Sequence, residues 1–344
     1  MRKITVLIVL FAAVLVAFKA VDEVRFNIPP KWPKPVYDVS KSPLSEAKIQ
    51  LGRSLFYDPV LSLDSTISCA SCHSQYTAFT HVDHALSHGI ENRIGNRNSP
   101  ALMNLAWGKS FMWDGAINHL DMQALAPISN HMEMDEKIGH VVNKLQHSNI
   151  YPKLYYKAFG DSLITGEHTL KAISQFLLTL VSTNSKYDSV MRRQSNFTAQ
   201  EKNGYKLFQQ NCSNCHKEPL FTNQQFENNG LPIDTTLNDY GRCKVTGEVK
   251  DSFLFKVPTL RNVQFSNPYM HDGRFKRLQD VLKHYTTGIV ETKYLSNQLK
   301  KPIVLTSNER VDLIAFLLTL TDKTFLFNPS FSYPKNIFTP NTKE

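Results

Sequence analysis

Two short motifs constrain this chain more than any other feature of its sequence. Residues 69–73 (CASCH) and 212–216 (CSNCH) both read Cys-x-x-Cys-His, the pattern at which a c-type haem is attached. The two thiols bond to the haem vinyl groups, and the histidine supplies a ligand to the iron. A zinc site or a redox dithiol is the alternative, but four-ligand zinc sites usually combine two such elements that are close in sequence. We therefore expect two covalently bound haems, held by Cys69, Cys72, His73, Cys212, Cys215 and His216.

Size, cysteine usage and charge narrow the class further. The chain has 344 residues, of which 42% are hydrophobic, enough for two domains of ordinary size. The motifs use all the cysteines except Cys243, so no structural disulfide is expected. The net charge is +9, but no dense Lys/Arg block with interleaved aromatic residues indicates a nucleic-acid site. A basic surface can instead steer an acidic electron-donor protein towards the molecule.

The N-terminus has the pattern of an export signal. Met1–Lys3 is positively charged, and an uncharged apolar run follows at residues 4–18, which is typical of a secretory signal peptide. The run is short for a membrane span, yet neither Ala17 nor Ala20 completes a clear Ala-x-Ala cleavage site. Residues 1–20 are therefore predicted to be a signal peptide or an N-terminal anchor. The protein is expected in the periplasm, because c-type haem is attached outside the bacterial cytoplasm.

The sequence beyond residue 20 contains a proline-rich segment and an internal repeat. Residues 29–35 (PPKWPKP) exclude a helix, since proline lacks a backbone N–H, and residues 21–44 are predicted to be a linker. Three similar segments then occur twice in the same order: 51–56, 100–104 and 113–115 around the first motif, and 203–208, 258–262 and 271–273 around the second. We interpret this pattern as one haem-binding unit used twice.

Three segments have apolar residues at the spacing of amphipathic helices. They are 167–181, 198–210 and 307–321, with Thr198 and Ser307 as candidate N-caps. Strand signals are few, and the polar, irregular residues 220–256 predict a long loop over the second haem. The expected fold is all-α, with long irregular loops and two cytochrome c-like haem domains from an internal duplication. The predicted divisions are an N-terminal domain at 45–195, a C-terminal domain at 196–325 and a tail at 326–344.

Five further segments occur in order along the chain: GNRNSP at 95–100, FMWDG at 111–115, MEM at 132–134, FKVPTLRN at 255–262 and PYMHDG at 268–273. Together with the haem motifs they resemble the bacterial di-haem cytochrome c peroxidases and their MauG-type relatives, from Ser45 to Thr321. In that family the N-terminal haem reacts with hydrogen peroxide and the C-terminal haem passes electrons to it. The resemblance thus implies a peroxidatic first domain and an electron-transfer second domain.

The resemblance also assigns catalytic roles in the first domain. Glu133 matches the family's catalytic glutamate, Gln123 its partner glutamine and Trp113 the tryptophan between the two haems. Cleavage of a peroxide bond needs a group that moves a proton between the two oxygens, and a carboxylate is suited to this task. The second unit has Val281 at the position that corresponds to Gln123. This difference supports the first haem as the reactive one.

Several residues are candidates for the sixth iron ligands. His88 matches a removable ligand on the first haem of many family peroxidases, with His81 and His84 as rivals, and MauG-type members have no such ligand. On the second haem, Tyr285 stands where the peroxidases have methionine and the MauG-type enzymes have tyrosine. A tyrosinate lowers the reduction potential relative to methionine. The alternatives for this second ligand are His284 and Met270.

A calcium ion between the domains is another feature of the family. The matching positions are Asn98, through its side chain, and the backbone carbonyls of Ser266 and Pro268. Hard oxygen donors of this kind suit Ca²⁺. Asn98 can alternatively cap a turn before Ser99, so the calcium site is an expectation that depends on the resemblance.

The predicted function is a periplasmic di-haem peroxidase that reduces hydrogen peroxide to water with electrons from a small cytochrome c or cupredoxin. MauG-like oxidation of side chains in a partner protein is the alternative that Tyr285 favours. Against it, the MauG route uses a tryptophan near the surface of the second domain, whereas Trp32, Trp107 and Trp113 all precede the second haem. The third class is a non-enzymatic di-haem electron carrier. A carboxylate beside the iron is evidence against this class. A homodimer, as in many relatives, and an N-terminal membrane anchor are left open.

Overall fold

The computed structural model describes residues 23–338. The predicted signal peptide or anchor at 1–20, and residues 339–344 of the predicted tail, lie outside this range. Within it, no helix is both long enough and apolar enough to cross a membrane. The described chain is mostly helical with very little sheet, which agrees with the predicted all-α fold.

The described helices differ in length, and several of them are single turns. They are α1 Glu46–Tyr57, α2 Cys69–Cys72, α3 Leu120–Gln123, α4 Leu125–Ser129, α5 Ile138–Gln146, α6 Tyr151–Phe159, α7 Gly166–Thr179, α8 Lys186–Met191, α9 Ala199–Asn211, α10 Cys243–Thr246, α11 Leu278–Lys283, α12 Ser307–Leu318, α13 Lys323–Leu326 and α14 Lys335–Phe338. The short strands β1 (Glu23–Val24) and β2 (Leu44–Ser45) pair antiparallel, as do β3 (Phe226–Glu227) and β4 (Phe255–Lys256).

In the first domain, α1 and α7 cross in close contact. Leu51, Leu55 and Phe56 of α1 are buried, because they lie on the helix face that is turned to the core. Gly52 permits the contact, since a Cβ atom added there would lie 1.8 Å from the Ala172 carbonyl oxygen. Any larger residue would push the helices apart, so this glycine sets the distance between them.

The second domain has the same kind of contact between α9 and α12. A Cβ atom added at Gly204 would lie 1.9 Å from the Asp312 carbonyl oxygen and 2.9 Å from Cβ of Phe316. Phe208 and Phe316 are fully buried in the core of this domain. Cys212, the first residue of the second haem motif, is the C-cap of α9. The helix crossing therefore determines where this motif begins.

The helix caps confirm one predicted start and correct another. Thr198 caps α9, and its hydroxyl accepts from the Glu201 N–H, as predicted. Ser307 is wrong as a cap: it is the first residue of α12, and Thr306 is the N-cap. Glu309 lies three residues after Thr306, and its carboxylate accepts from the Thr306 N–H at 2.8 Å, which completes a capping box. The observed bounds that replace the three predicted segments are Gly166–Thr179, Ala199–Asn211 and Ser307–Leu318.

The proline-rich segment and the end of the described chain both lie against the first domain. The Trp107 indole N–H donates to the Pro33 carbonyl at 2.7 Å, and the Trp32 and Trp107 rings are 4.8 Å apart. The Tyr57 hydroxyl donates to the Phe331 carbonyl at 2.8 Å. The part of the predicted linker that the structure describes is thus packed on the first domain.

Residues 220–256 are irregular, as predicted, and contact the first domain. The segment contains β3 and α10 and ends in β4. At its end the Lys256 N–H donates to the Trp113 carbonyl at 2.7 Å, and the Lys256 ammonium donates to the Ser110 carbonyl. This contact places the first-domain residue Trp113 directly against the second domain.

Candidate functional site

Both Cys-x-x-Cys-His motifs present a histidine that is ready to bind a metal. The His73 ring nitrogen Nδ1 lies 2.8 Å from the Phe79 carbonyl, and His216 Nδ1 lies 3.1 Å from the Phe221 carbonyl. A carbonyl only accepts, so Nδ1 carries the proton in each ring and Nε2 keeps its lone pair. Burial lowers the pKa of both imidazoles to about 4, which keeps them neutral, as an iron ligand must be.

The thiols fit haem attachment better than zinc binding. All the cysteines in the described chain are free, and burial raises the pKa of Cys69 and Cys212 to about 12. A structural zinc site needs four metal-binding side chains together. Residues 23–338 contain no group of three or more His, Cys, Asp or Glu side chains that could hold a metal ion. The residues present therefore fit a covalently attached haem, whose iron takes its proximal ligand from the histidine.

A cavity of about 320 Å³ marks the second haem site, and this volume is typical of cofactor sites, about 300–1,000 Å³. Its wall contains Cys212, Cys215 and His216 of the second motif and apolar residues of α12 such as Leu313. The cavity extends to Trp113 and Gln123 of the first domain. His73 and Glu133 are not among its lining residues, but Ser99 and Pro100, which contact Cys72 and His73, are.

Glu133 lies beside the first haem motif, where the resemblance predicts a catalytic acid. Its carboxyl group is close enough to Cys69 and Cys72 to raise the pKa of both thiols, after the larger effect of burial. Burial raises the pKa of Glu133 itself, and the Asn130 side chain, which donates to Oε1 at 2.8 Å, offsets part of this effect. A carboxyl with a raised pKa exchanges protons more readily near neutral pH than an ordinary glutamate.

Trp113 and Gln123 lie on the side of the second haem cavity that faces the first domain. The Trp113 indole N–H donates to the Asn98 carbonyl at 2.8 Å, which fixes the ring. Gln123 is the last residue of α3, and its side chain lines the cavity. Trp113 contacts the second domain at Lys256. Burial lowers the pKa of Lys256 to about 8.

The three histidines of the first-domain loop form a stack. The His84 ring is 5.2 Å from His81 and 4.2 Å from His88. The His88 carbonyl accepts from the Cys72 thiol at 3.4 Å, so the loop backbone contacts the first haem motif. Ligation of the iron by the His88 ring stays a prediction.

The three candidates for the sixth ligand of the second haem differ in their surroundings. Tyr285, in a π-helical turn at His284–Gly288 that follows α11, lines the cavity, and burial raises its pKa to about 12. Met270 also lines the cavity. The His284 ring does not; its Nε2 donates to the Asn229 carbonyl at 2.9 Å. Tyr285 and Met270 therefore face the cofactor space, and His284 is held by the backbone.

The residues predicted to bind calcium, Asn98, Ser266 and Pro268, all belong to the wall of the second haem cavity. The Asn98 N–H donates to the His271 carbonyl at 2.7 Å, and its side-chain NH₂ donates to the Ala85 carbonyl at 2.9 Å. Only the side-chain oxygen of Asn98 is then available to a cation. This donor set fits a hard cation such as Ca²⁺.

Some residues of the site were not found from the sequence. Asn130 orients Glu133 and lies three residues before it, a spacing at which an Asn side chain commonly bonds to a neighbour, so a local signal existed. Arg97 makes a two-point contact with Asp239 across the domain junction at 2.6 and 2.8 Å. Nothing local in the sequence indicates this pair or the role of Asn229 at the second site.

Comparison with known proteins supplies the family. The sequence matches the family model described as di-haem cytochrome c peroxidase over residues 46–196 and the cytochrome c model over residues 201–321. It is 35% identical over 318 residues to the methylamine utilization protein MauG of Methylorubrum extorquens, covering 89% of this chain and 85% of that protein. The chain belongs to the di-haem cytochrome c peroxidase and MauG family. It is therefore an oxidoreductase of the cytochrome c peroxidase type with two c-type haems.

Other relatives in this family have both kinds of name. The chain is 32% identical to a cytochrome c551 peroxidase of Nitrosomonas europaea, covering 86% of each protein. A solved structure of a MauG-like protein associated with microbial copper homeostasis is 30% identical, with a TM-score of 0.83, and covers 90% of this chain and 99% of that one. The solved diheme peroxidase BthA from Burkholderia thailandensis, at 21% identity and a TM-score of 0.72, shares the fold.

Proposed function

We propose that this member of the family is a periplasmic peroxidase that reduces hydrogen peroxide, with two protons and two electrons, to two molecules of water. The observation that carries the proposal is the Glu133 carboxyl. It lies beside the Cys69 and Cys72 thiols, its pKa is raised, and Asn130 orients it. An electron carrier needs no proton-handling group beside its iron.

Each residue has a distinct task in the proposed reaction. A bound haem would supply the electrons that break the O–O bond. The Glu133 carboxylate would take the proton from one oxygen of peroxide and return it to the departing oxygen. Asn130 keeps the carboxyl oriented, and Gln123 of the same domain is the proposed partner glutamine. His73 would ligate the iron of a bound haem through Nε2.

We further propose that electrons enter through the second haem and pass Trp113. The indole N–H is fixed by the Asn98 carbonyl, and the Trp113 backbone is bonded to Lys256 of the second domain. The ring lines the cavity of the second haem, which supports a position between the two redox centres. A small cytochrome c or cupredoxin is the proposed donor, because the chain is basic and an acidic donor would be attracted to it.

We also propose a sixth ligand for the second haem, a calcium site and an origin of the two domains. Tyr285 is the proposed ligand of the second haem, since it faces the cavity and His284 does not.

Asn98, Ser266 and Pro268 are proposed to bind Ca²⁺. The variant Asn98→Ala should weaken Ca²⁺ binding measured by calorimetry, and an equal affinity would remove Asn98 from the site. An internal duplication is supported by the glycine-closed helix pairs that each domain contains.

MauG-like oxidation of a partner protein is the second candidate function. Tyr285 favours it, and so does the name MauG of several relatives. The described tryptophans are all in the first part of the chain, which opposes it. Incubation with hydrogen peroxide and a reduced small cytochrome separates the two functions, because a peroxidase oxidises the cytochrome catalytically without any partner protein.

The test of the proposed function is peroxide turnover by the haem-loaded protein. Glu133→Gln should lower turnover by about 10²- to 10⁴-fold, the usual contribution of acid–base catalysis, with both haems still attached. Glu167→Gln is the matched control, because Glu167 is exposed and pairs only with Lys171 on the surface of α7. Unchanged turnover in Glu133→Gln would remove Glu133 from the mechanism.

A further inference from the structure

The backbone around Asn229 is fixed from both sides. The Asn228 N–H donates to the Ser296 hydroxyl at 3.1 Å, and the Ser296 N–H donates back to the Asn228 carbonyl at 3.0 Å. The Gly230 N–H donates to the Asn228 side chain at 2.8 Å. Gly230 has a φ of +71°, and an added Cβ would lie 2.6 Å from Ile289. The side chain of Asn229 therefore starts from a well-determined point in the wall of the second haem cavity, which it lines.

Asn229 contacts two of the three residues that compete for the second iron. Its backbone carbonyl accepts from His284 Nε2 at 2.9 Å. Its side-chain nitrogen Nδ2 donates to the Met270 sulfur at 3.4 Å. The third residue, Tyr285, lines the same cavity as Asn229.

These contacts act differently on the three candidates. The nitrogen that His284 would offer to iron is already bonded to a carbonyl, and reaching the iron would break that bond. The Met270 side chain is tethered to the cavity wall. Tyr285 lines the cavity, and neither of these two contacts holds it away from the iron.

We propose that Asn229 is the positioning residue that selects the axial ligand of the second haem: it holds His284 and Met270 at the cavity wall and leaves Tyr285 to bind the iron. The inference rests on Tyr285 as the proposed ligand and extends it. Asn229 acts through the ligand and touches no substrate, so its effect belongs to the ligation and reduction potential of the second haem.

The experiment uses the haem-loaded full chain and electron paramagnetic resonance with potentiometry. Asn229→Leu has nearly the same size and no N–H donor. In the parent protein one low-spin tyrosinate signal is expected from the second haem. In Asn229→Leu we expect a second low-spin signal and the absorption band of a methionine thioether bound to iron. We also expect a higher reduction potential of the second haem. The signal should disappear again in Asn229→Leu/Met270→Leu, whereas Met270→Leu alone should resemble the parent.

Each result decides for or against the inference. A parent-like spectrum and potential in Asn229→Leu would overturn it, as would methionine or histidine ligation in the parent. Should Asn229→Leu fail to retain both haems, Asn229→Asp keeps the shape while losing both donors, and an unchanged spectrum there would equally overturn the inference. Peroxide turnover is measured separately. If Asn229→Leu changes the ligand but the parent protein shows no turnover, only the proposed function is contradicted. If the parent turns over peroxide but Asn229→Leu keeps the parent's ligand, only the role of Asn229 is contradicted.

Discussion

Replacement of Gly204 by alanine should destabilise the second domain, and the structure allows the size of the effect to be worked out. The added Cβ atom would lie 1.9 Å from the Asp312 carbonyl oxygen, whereas non-bonded atoms prefer about 3.5 Å. The obstructing atom is backbone, so helices α9 and α12 must separate rather than a side chain rotate. Overpacking of this kind costs about 1–3 kcal/mol, more than the gain of up to about 1 kcal/mol that alanine brings to a helix.

The assay is guanidinium unfolding of the haem-loaded protein, followed by circular dichroism. Gly139→Ala is the matched control, because Gly139 is a helical glycine in α5 with no atom within 4 Å of the added Cβ, and it should be neutral or slightly stabilising. Since Leu313 and Leu317 of α12 line the second haem cavity, Gly204→Ala should also shift the potential of the second haem more than that of the first. A Gly204→Ala protein as stable as the parent would refute the idea that this glycine sets the helix distance.

Three further outcomes are expected. Asn130→Ala should lower peroxide turnover about tenfold by removing the hydrogen bond of about 1–1.5 kcal/mol that orients Glu133, with KM changed less than kcat; equal kcat in steady-state assays would contradict this role. Trp113→Phe should slow electron transfer between the haems in stopped-flow measurements while leaving peroxide binding intact, and an unchanged rate would exclude Trp113 as the relay. The third concerns Asp188: burial raises the pKa of its carboxyl, but the two-point contact with Arg261 more than offsets this and holds the pKa below its usual value. Because the folded-state pKa is depressed, this carboxylate stabilises the protein above the unfolded-state pKa of about 3.9, and that contribution is lost as the pH falls below it. The acid-side loss of unfolding free energy should therefore be smaller in Asp188→Asn than in the parent, and identical pH profiles would contradict the ion-pair account.

The sequence predicted those features that depend on short-range patterns. The haem motifs determine their own chemistry, because two thiols and a histidine at fixed spacing are sufficient to attach a haem. The start of α9 was predicted because Thr198, a residue type common at N-caps, directly precedes the apolar periodic segment, and in the structure Thr198 caps α9. The start of α12 was placed one residue late, because Thr306 and Ser307 are both capping types and only the carboxylate three residues on distinguishes them.

Features that depend on contacts between distant residues were not predicted. The roles of Asn229 and the Arg97–Asp239 pair arise only when long loops fold over the cofactor space, and no periodicity determines how a loop closes. The same holds for the C-terminal tail, whose Phe331 bonds to Tyr57 far away in the sequence. The resemblance assigns Gln123 and Glu133 to one catalytic site, whereas in the structure Gln123 lines the second haem cavity and Glu133 does not.

The inequality of the two haems is the central claim, and electron paramagnetic resonance of the oxidised and half-reduced protein tests it most directly. The account predicts a high-spin iron at the His73 site in at least one of these states, with the face beside Glu133 open to peroxide, and a low-spin, six-coordinate iron at the His216 site in both. Two irons that stay low-spin in both states, with spectra unchanged on addition of hydrogen peroxide, would contradict it.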